Sequence, residues 1–362
     1  MKRKLRFLCA VLLLPCLLAA PSFAEDTEEE APVGTWLGSV YTTDIVTYID
    51  GAPIASYNIG GTTVVSVSDL AGYGFQVEWD PETRWVTVTS VRRPERMPEP
   101  DITREAPGTV RGSYYSTDIG VSFNGVWLTD VYNIGGWMMI PLSTLGELEG
   151  HVYRNPNWYL GYSDYLCHID WDPSARIVSL STIHPGDDLT FNGIDCKVSS
   201  ILSPDDWYGD DYILHAITIP STQPDIDPSI VVGDIAMCWG DAGAYYSYRG
   251  LNRVFQDQLT MENGYITMRD PTVDYEWISQ MEAVGYDFVK VIDGKLYANE
   301  SLFGQKSTFI GVPAIQLSVP FLLERNGVVT RGTVQAIPLF AVDDSIEYSL
   351  CLRAKDIFEF LN

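Results

Sequence analysis

The chain has 362 residues, of which 46% are hydrophobic and 12% aromatic, and its formal net charge is −25. This length allows two or three domains with real hydrophobic cores. The excess of acidic residues argues against nucleic acid and anionic membrane as partners, because both would repel the chain.

The N-terminus has the pattern of a signal peptide. Four basic residues within positions 2–6 precede an apolar run at 7–20, which is too short for a confident membrane span. Ser22-Phe23-Ala24 fits a small-x-small cleavage site. We therefore expect residues 1–24 to be removed, an uncleaved anchor being the alternative. The remaining chain would carry 19 basic and 48 acidic residues, a net charge of −29, with no membrane span.

Three sequence blocks occur twice in the same order. YTTDI at 41–45 matches YSTDI at 115–119, and YNIGG occurs at both 57–61 and 132–136. The third block, EWDPETRWVTVTS, returns as DWDPSARIVSLST. Such a repeat indicates two copies of one structural unit. It divides the chain into an acidic leader (25–36), copy one (37–91), a proline-rich linker (92–112), copy two (113–183) and a C-terminal region (184–362).

Within each copy the turn signals predict short antiparallel strands. Asp50-Gly51 and Asn124-Gly125 are hairpin turns. Ser68 and Ser143 can each cap a short helix. The repeated Trp-Asp-Pro reads as a strand end and a type I turn, and Arg84 and Arg176 could pair with the acids of those turns. Each copy is thus predicted to be a small antiparallel-sheet module with one short helix.

The C-terminal region reads mainly as strands, including 188–191 and 328–340. Two helices are predicted, one beginning at Asp270 and ending before Gly285, and one over the tail from Leu350 to Leu361. The predicted fold class is mainly β (α+β): two small modules and a mainly β C-terminal domain with one or two helices.

The doubled blocks resemble the copper amine oxidase N-terminal-like domain, the stalk module of many exported proteins of Gram-positive bacteria. The matching positions are 61–70 and 78–88 in copy one, and 136–145 and 170–180 in copy two. The family's common Pro-Leu-Arg is replaced by Val67-Ser68-Asp69 and Pro141-Leu142-Ser143. The resemblance implies a small antiparallel sheet around one helix, used as a spacer or attachment module at the cell surface.

The resemblance does not imply amine oxidation. That chemistry needs a tyrosine-derived quinone in an Asn-Tyr-acid triplet and three histidine copper ligands, two of them as His-x-His. The chain contains neither pattern and has four histidines in all. We therefore expect no copper, no other metal and no cofactor. His184 close to Asp187 and Asp188 is a weak metal pattern that arises easily by chance.

The second copy carries an insertion at 151–165 that is rich in aromatic and amide side chains. Asn155, Trp158, Tyr159 and Tyr162 have the composition of a loop that binds a sugar or a peptide. The alternative is a loop that packs its aromatic rings onto the sheet. These four residues are the candidate ligand-binding site.

Four cysteines follow the signal peptide, namely Cys167, Cys196, Cys238 and Cys351. In an exported protein an even number permits two disulfides, here in any of three pairings. Four buried free thiols are the alternative, because each cysteine lies in an apolar context.

These patterns predict a secreted, non-catalytic structural or binding protein of the bacterial cell surface. Its partner would be a component of the cell envelope, a glycan or a peptide. The alternative is a secreted hydrolase of glycans or cell wall, with its active site in residues 184–362.

Overall fold

The computed structural model is mostly β-strand, as the sequence predicts. It describes residues 31–146, 163, 165–191, 193–203, 214–218, 229–233, 245–247, 258–271, 283, 289–292, 295–298, 314–340 and 348–361. Within these residues no helix is long and apolar enough to cross a membrane.

The two copies have the same order of elements. Copy one contains β1 (Trp36–Tyr41), β2 (Val46–Ile49), β3 (Ala52–Ile54), β4 (Ser56–Ile59), β5 (Thr62–Ser66), a 3-10 helix (Ser68–Tyr73), β6 (Phe75–Asp80) and β7 (Trp85–Ser90). Copy two contains β8 (Val110–Tyr115), β9 (Gly120–Phe123), β10 (Val126–Leu128), β11 (Tyr132–Ile134), β12 (Trp137–Pro141), a 3-10 helix (Leu142–Leu145), β13 (Cys167–Asp172) and β14 (Ile177–Thr182).

Six strands, three from each copy, close into an antiparallel barrel in the order β1-β4-β5-β12-β11-β8. The copies join where equivalent strands pair. Ser39 lies opposite Ser113, and Val65 lies opposite Ile140. Each of these pairs joins the same position of the two copies, so a local twofold axis relates the copies.

The remaining strands form two side sheets, and each sheet also draws on both copies. The closing hairpin β6-β7 of copy one continues through a parallel pairing of β7 with β9 into the hairpin of copy two. The closing hairpin β13-β14 of copy two pairs in parallel with β2 of copy one.

The expected layout of two separate antiparallel modules is therefore wrong. A module made of one copy alone would leave β7 or β14 as an open sheet edge. The structure pairs each of these edges with the hairpin of the other copy, which introduces two parallel pairings. The repeat predicts that the two copies share one order of elements, but it does not reveal that strands are exchanged between the copies.

One hydrophobic core serves both copies. Val65 and Ile140 lie in it together with the inward-facing residues of the closing strands, such as Val88 and Leu180. A smaller cluster fills the barrel around Val40, Ile59, Val64 and Met139. Because the shared core requires both copies, neither copy can bury its apolar face alone.

The short helices begin differently from the prediction. Both are 3-10 helices, and neither Ser68 nor Ser143 acts as a side-chain cap. Val67 and Pro141 precede the helices instead, and no side-chain cap hydrogen bond forms at either position. Ser68 Oγ is 2.8 Å from Ser66 Oγ, so its hydroxyl is used in a different contact.

The C-terminal region contains twelve further strands among the described residues, arranged in two sheets. Eight form one sheet: β15 (Asp188–Phe191), β16 (Ile194–Leu202), β19 (Tyr245–Ser247), β20 (Leu259–Glu262), β21 (Tyr265–Arg269), β24 (Ala314–Arg325), β25 (Val328–Phe340) and β26 (Tyr348–Arg353). Four form a second sheet in the order β17-β18-β23-β22: β17 (Leu214–Thr218), β18 (Ser229–Gly233), β22 (Val289–Ile292) and β23 (Lys295–Ala298).

The chain ends in helix α1 (Ala354–Leu361). The predicted tail helix is thus confirmed from Ala354 onward, whereas Leu350 belongs to β26. The ring of Phe360 packs on Phe321 with centroids 4.8 Å apart. The helix predicted between Asp270 and Gly285 lies almost entirely outside the described residues.

Candidate functional site

Three segments of the chain meet at the turn between β2 and β3. Asp50 is the turn residue, Arg93 lies at the start of the linker, Thr182 ends the last strand of copy two, and His184 follows copy two. We call Asp50, Arg93, Thr182, His184 and Asp187 the junction cluster. Its side chains are bonded to one another and are partly or fully buried.

Asp50 occupies its position because the turn requires a left-handed backbone, which aspartate tolerates at a φ of 49°. Its N–H donates to the carbonyl of Leu180 at 2.9 Å. Its carboxylate accepts from the backbone N–H of Thr182 at 2.8 Å and from the Thr182 hydroxyl at 2.6 Å. The hairpin of copy one is thereby fixed to the last strand of copy two.

Arg93 attaches the linker to the same point. Its Nε and one terminal nitrogen donate to the two carboxylate oxygens of Asp187, each at 3.0 Å. The guanidinium also donates to the Thr182 carbonyl at 2.7 Å and forms an ion pair with Asp50. A planar guanidinium suits this task, because its five donors can bind several acceptors in one plane.

His184 is fully buried, with 0% of its surface exposed. Its Nδ1 lies 2.8 Å from the Val91 carbonyl, and its Nε2 lies 2.6 Å from the Thr182 hydroxyl. Asp50 is 3.4 Å from the same Nε2. Since the carbonyl can only accept, Nδ1 carries the proton in that hydrogen bond.

A glycine gives the histidine ring its space. Gly74 follows the first 3-10 helix with a φ of 91°, and a Cβ there would stand 2.8 Å from His184 Cε1. Phe75 contacts the ring edge-on, with centroids 4.9 Å apart. Copy one therefore builds the pocket that holds a histidine from the segment just after copy two.

The charges of the cluster stabilise one another. Burial alone would raise the pKa of Asp50, but the hydrogen bonds from His184 and Thr182 and the charge of Arg93 outweigh it, so this pKa lies below its ordinary value. Burial works against the charged form of Arg93, yet Asp187 and Asp50 raise its pKa. Both groups therefore remain charged at neutral pH.

A pocket of about 470 Å³ opens beside the cluster, lined by Asp50, Arg93, Pro94, Met97, Ser181 and Thr182. The two charged groups that face it are already paired with each other. His184 does not line the pocket, and hydrogen-bond partners occupy both of its ring nitrogens. A ligand in this pocket would therefore not contact the imidazole, and the cluster ties three segments of the chain together.

The weak metal pattern of His184 and Asp187 does not form a metal site. Asp187 accepts the backbone N–H of His184 at 2.9 Å, while the imidazole points toward Val91 and Thr182. Across the described part of the chain, no group of three or more His, Cys, Asp or Glu side chains could hold a metal ion.

The candidate ligand-binding residues Asn155, Trp158, Tyr159 and Tyr162 lie outside the described residues. The structure describes where the insertion is anchored. Ser163 Oγ donates to the Leu145 carbonyl at 2.5 Å, and Asn124 Nδ2 donates to the Tyr165 carbonyl at 3.1 Å. The end of the insertion therefore packs under the β9–β10 hairpin, and Tyr165 itself is buried.

Two of the four disulfide candidates, Cys167 and Cys196, are free and buried thiols. The free-thiol alternative therefore describes them correctly, and the disulfide prediction does not. Burial raises the pKa of Cys167 well above its ordinary value and that of Cys196 to about 11. Cys238 lies outside the described residues, and Cys351 is described only by its place in β26.

The Trp-Asp-Pro blocks form turns, as predicted. Asp80 accepts from the Glu82 N–H, and Asp172 from the Ser174 N–H, both at 2.8 Å. The predicted pairing of the following arginines with these acids is wrong. Arg84 pairs with Asp118 and Arg176 pairs with Asp44, at 2.6 and 2.7 Å. Each arginine therefore binds the Thr-Asp-Ile block of the other copy.

The sequence reasoning missed Arg93, which lay in a segment read as a linker. One signal was visible: the two hairpin turns carry Asp50 in copy one and Asn124 in copy two. This difference in charge at equivalent positions indicates that only the turn with the aspartate has an ionic partner. The comparisons add no name to this site, because no family model, no curated protein and no solved structure matches the chain.

Proposed function

We propose that this protein is an exported, non-catalytic structural or binding protein of the bacterial cell surface, with residues 36–182 acting as a spacer. One observation carries the proposal: both side sheets and the barrel take strands from both copies. Pulling the copies apart would break the barrel and both side sheets together. Such an interlocked unit suits a spacer that holds another region away from the envelope.

The junction cluster supports a mechanical role over a catalytic one. Its arginine ties the linker to both copies, and its histidine is enclosed rather than open to the pocket. The N-terminal signal pattern supports export. The resemblance to stalk modules supports a place at the cell surface, with a cell-envelope component, a glycan or a peptide as the partner.

Sedimentation of purified residues 25–362 with isolated Gram-positive cell envelope tests this proposal. We expect the protein to sediment with the envelope and to release no reducing sugar or free amine from it. A protein that stays in the supernatant would contradict a surface role. Release of sugar or peptide fragments would favour the alternative, a hydrolase with its active site in residues 184–362.

A further inference from the structure

The two side sheets are equivalent in backbone but differ on their outer faces. In the first side sheet, cross-strand pairing places Trp127, Ser122, Thr87 and Glu78 in one row across β10, β9, β7 and β6. The equivalent row of the second side sheet is Pro53, Tyr48, Ser179 and Asp170. The inner faces of both sheets are apolar and belong to the shared core.

A pair of tryptophans dominates the first row. The ring of Trp127 leans on Trp85 with centroids 5.5 Å apart and an angle of 36° between the planes. Trp85 lies opposite Gly120 of β9, and its ring occupies the space that a side chain at residue 120 would fill. A Cβ on Gly120 would stand 2.5 Å from the Trp85 ring. At the same place the second sheet has Ile177 beside Val46.

Folding does not require this tryptophan pair. The second side sheet has the same strands, pairings and buried face without any tryptophan at those positions. Trp127 is nevertheless 72% exposed. A large aromatic ring kept in water is costly unless it contacts a partner, so a difference between equivalent sheets indicates a function of one of them.

We propose that the outer face around Trp127 and Trp85 binds a neutral, equatorially linked pyranose glycan. The flat ring of such a sugar presents C–H groups that stack on an exposed indole. The row crosses four strands, a width of about 14 Å at the usual strand spacing, which accommodates a few sugar rings. Thr87 and Glu78, both exposed, continue the row and accept hydrogen bonds from sugar hydroxyls.

The charges around the face select against anionic polymers. Glu78 and Asp80 are both exposed on β6, and Asp80 lies opposite Trp85. The nearby cation Arg84 is already paired with Asp118. Phosphate- or carboxylate-bearing glycans would therefore meet net negative charge, whereas a neutral glycan does not. This inference rests on the proposed function, since it names the ligand class and the site of a surface-binding protein.

Titration of residues 25–362 with cellohexaose and with N-acetylchitohexaose, followed by tryptophan fluorescence and calorimetry, tests the site. Polygalacturonate serves as the anionic comparison. Trp127→Ala removes the most exposed ring, and Trp137→Ala is the matched control, because Trp137 is 61% exposed but lies on the barrel. Loss of one stacking ring weakens binding about tenfold.

We expect at least one neutral hexasaccharide to bind, Trp127→Ala to weaken it about tenfold, and Trp137→Ala to leave it within about twofold. Equal binding by Trp127→Ala and Trp137→Ala would show that the glycan does not bind at Trp127, but it would not contradict a surface-binding function. Preference for polygalacturonate would overturn the ligand class. Envelope sedimentation without binding of either neutral glycan would also overturn this inference, and failure of both assays would overturn the proposed function too.

Discussion

Asp50 and Asn124 hold the same position in the two copies, and their backbones behave alike. Each is the first residue of a hairpin turn, with φ of 49° and 50°. Each accepts a backbone N–H at 2.8 Å from the closing strand of the other copy in the same side sheet, from Thr182 and from Ser90 respectively. Beyond this shared bond they differ. Asp50 forms an ionic cluster, whereas Asn124 donates to the Tyr165 carbonyl.

The difference separates what the fold requires from what one junction adds. Both junctions need a short side chain that tolerates a left-handed backbone and offers an oxygen to the next strand. Only the first junction must also hold the linker, and there the acceptor is a carboxylate that attracts Arg93. The second junction instead supports the end of the insertion through Tyr165. The charged residue is thus found at the turn that also binds the linker.

The largest expected effect lies in the core beneath these turns. Phe123 precedes Asn124, as Ile49 precedes Asp50, and both are fully buried. Phe123 contacts the rings of Phe75 and Tyr165, with centroids 5.1 and 6.5 Å away. We expect Phe123→Ala to lower the free energy of unfolding by about 4 kcal/mol, measured by urea denaturation.

Because the core is shared, Phe123→Ala should also weaken copy one. Hydrogen exchange should accelerate in β7 as much as in β9, which pair in parallel. The conservative change Ile49→Val is the control and should cost about 1 kcal/mol. Accelerated exchange confined to copy two would show that the copies unfold independently, contrary to the interlocked fold.

The next largest effect is expected at the two hairpin turns, where Asp50 and Asn124 differ. Asp50→Ala removes the acceptor of Thr182, one of the two carboxylate partners of Arg93 and the carboxylate next to His184, so we expect a loss of about 3 kcal/mol. Asp50→Asn copies the other junction and keeps an oxygen for the Thr182 N–H, so about half of that loss should return. Asn124→Ala leaves no charged group without a partner, so it should lower the free energy of unfolding by only about 1–2 kcal/mol. Equal losses for Asp50→Ala and Asp50→Asn would mean that only the charge matters.

The charge of Asp50 also predicts a pH dependence. Its pKa in the folded protein lies below the ordinary value of 3.8. The ionised group therefore contributes its full stability above that ordinary value, and the contribution is lost as the pH falls through the lower, folded pKa. The difference in stability between the wild type and Asp50→Asn should stay constant from pH 7 to about pH 5 and shrink below it. A stability difference that grows on acidification would contradict the lowered pKa of Asp50.

A smaller effect is expected where the side sheets differ. Gly120→Val places a side chain against the ring of Trp85 and should cost about 2 kcal/mol through overpacking. Adding Trp85→Ile recreates the Val46–Ile177 pair of the second side sheet, and we expect it to restore most of the loss. A double variant no more stable than Gly120→Val would show that the sheets are not interchangeable at this position.

Much of the fold follows from local chemistry that is visible in the sequence. The glycine turns at 50–51 and 124–125, the Trp-Asp-Pro turns and the alternating strands after them depend on neighbours along the chain. The structure therefore has them where they were predicted. The exchange of strands between copies depends on which open edge another edge meets. Because the strand edges of the two copies are similar, the sequence is equally compatible with pairing within one copy and with pairing between copies.

The candidate sites also depend on contacts between distant segments, which the sequence does not reveal. Nothing in the spacing of Asp50, Arg93 and His184 brings them together, because they lie in three segments that meet only through the exchange. Trp127 is similar, since only the register of four strands places it in a row with Glu78. In both cases the informative signal was the residue that differs between copies, whereas the shared residues specify the fold.

The smallest expected effect concerns the two ion pairs that are the same in both copies. Arg84–Asp118 and Arg176–Asp44 both lie at the surface, where water and salt screen them. Hydrogen bonds from the arginines lower the pKa of Asp118 and of Asp44. We still expect Arg84→Gln and Arg176→Gln each to lower the free energy of unfolding only marginally, and by less in high salt. Both arginines have a left-handed backbone, with φ of 58° and 56°, so Arg84→Gly should recover part of its loss by relieving that strain. Urea denaturation at low and high salt measures all three variants. A clear loss of stability for one arginine alone would mean that the two copies are unequal here as well, and that the fold depends on the charge of that pair.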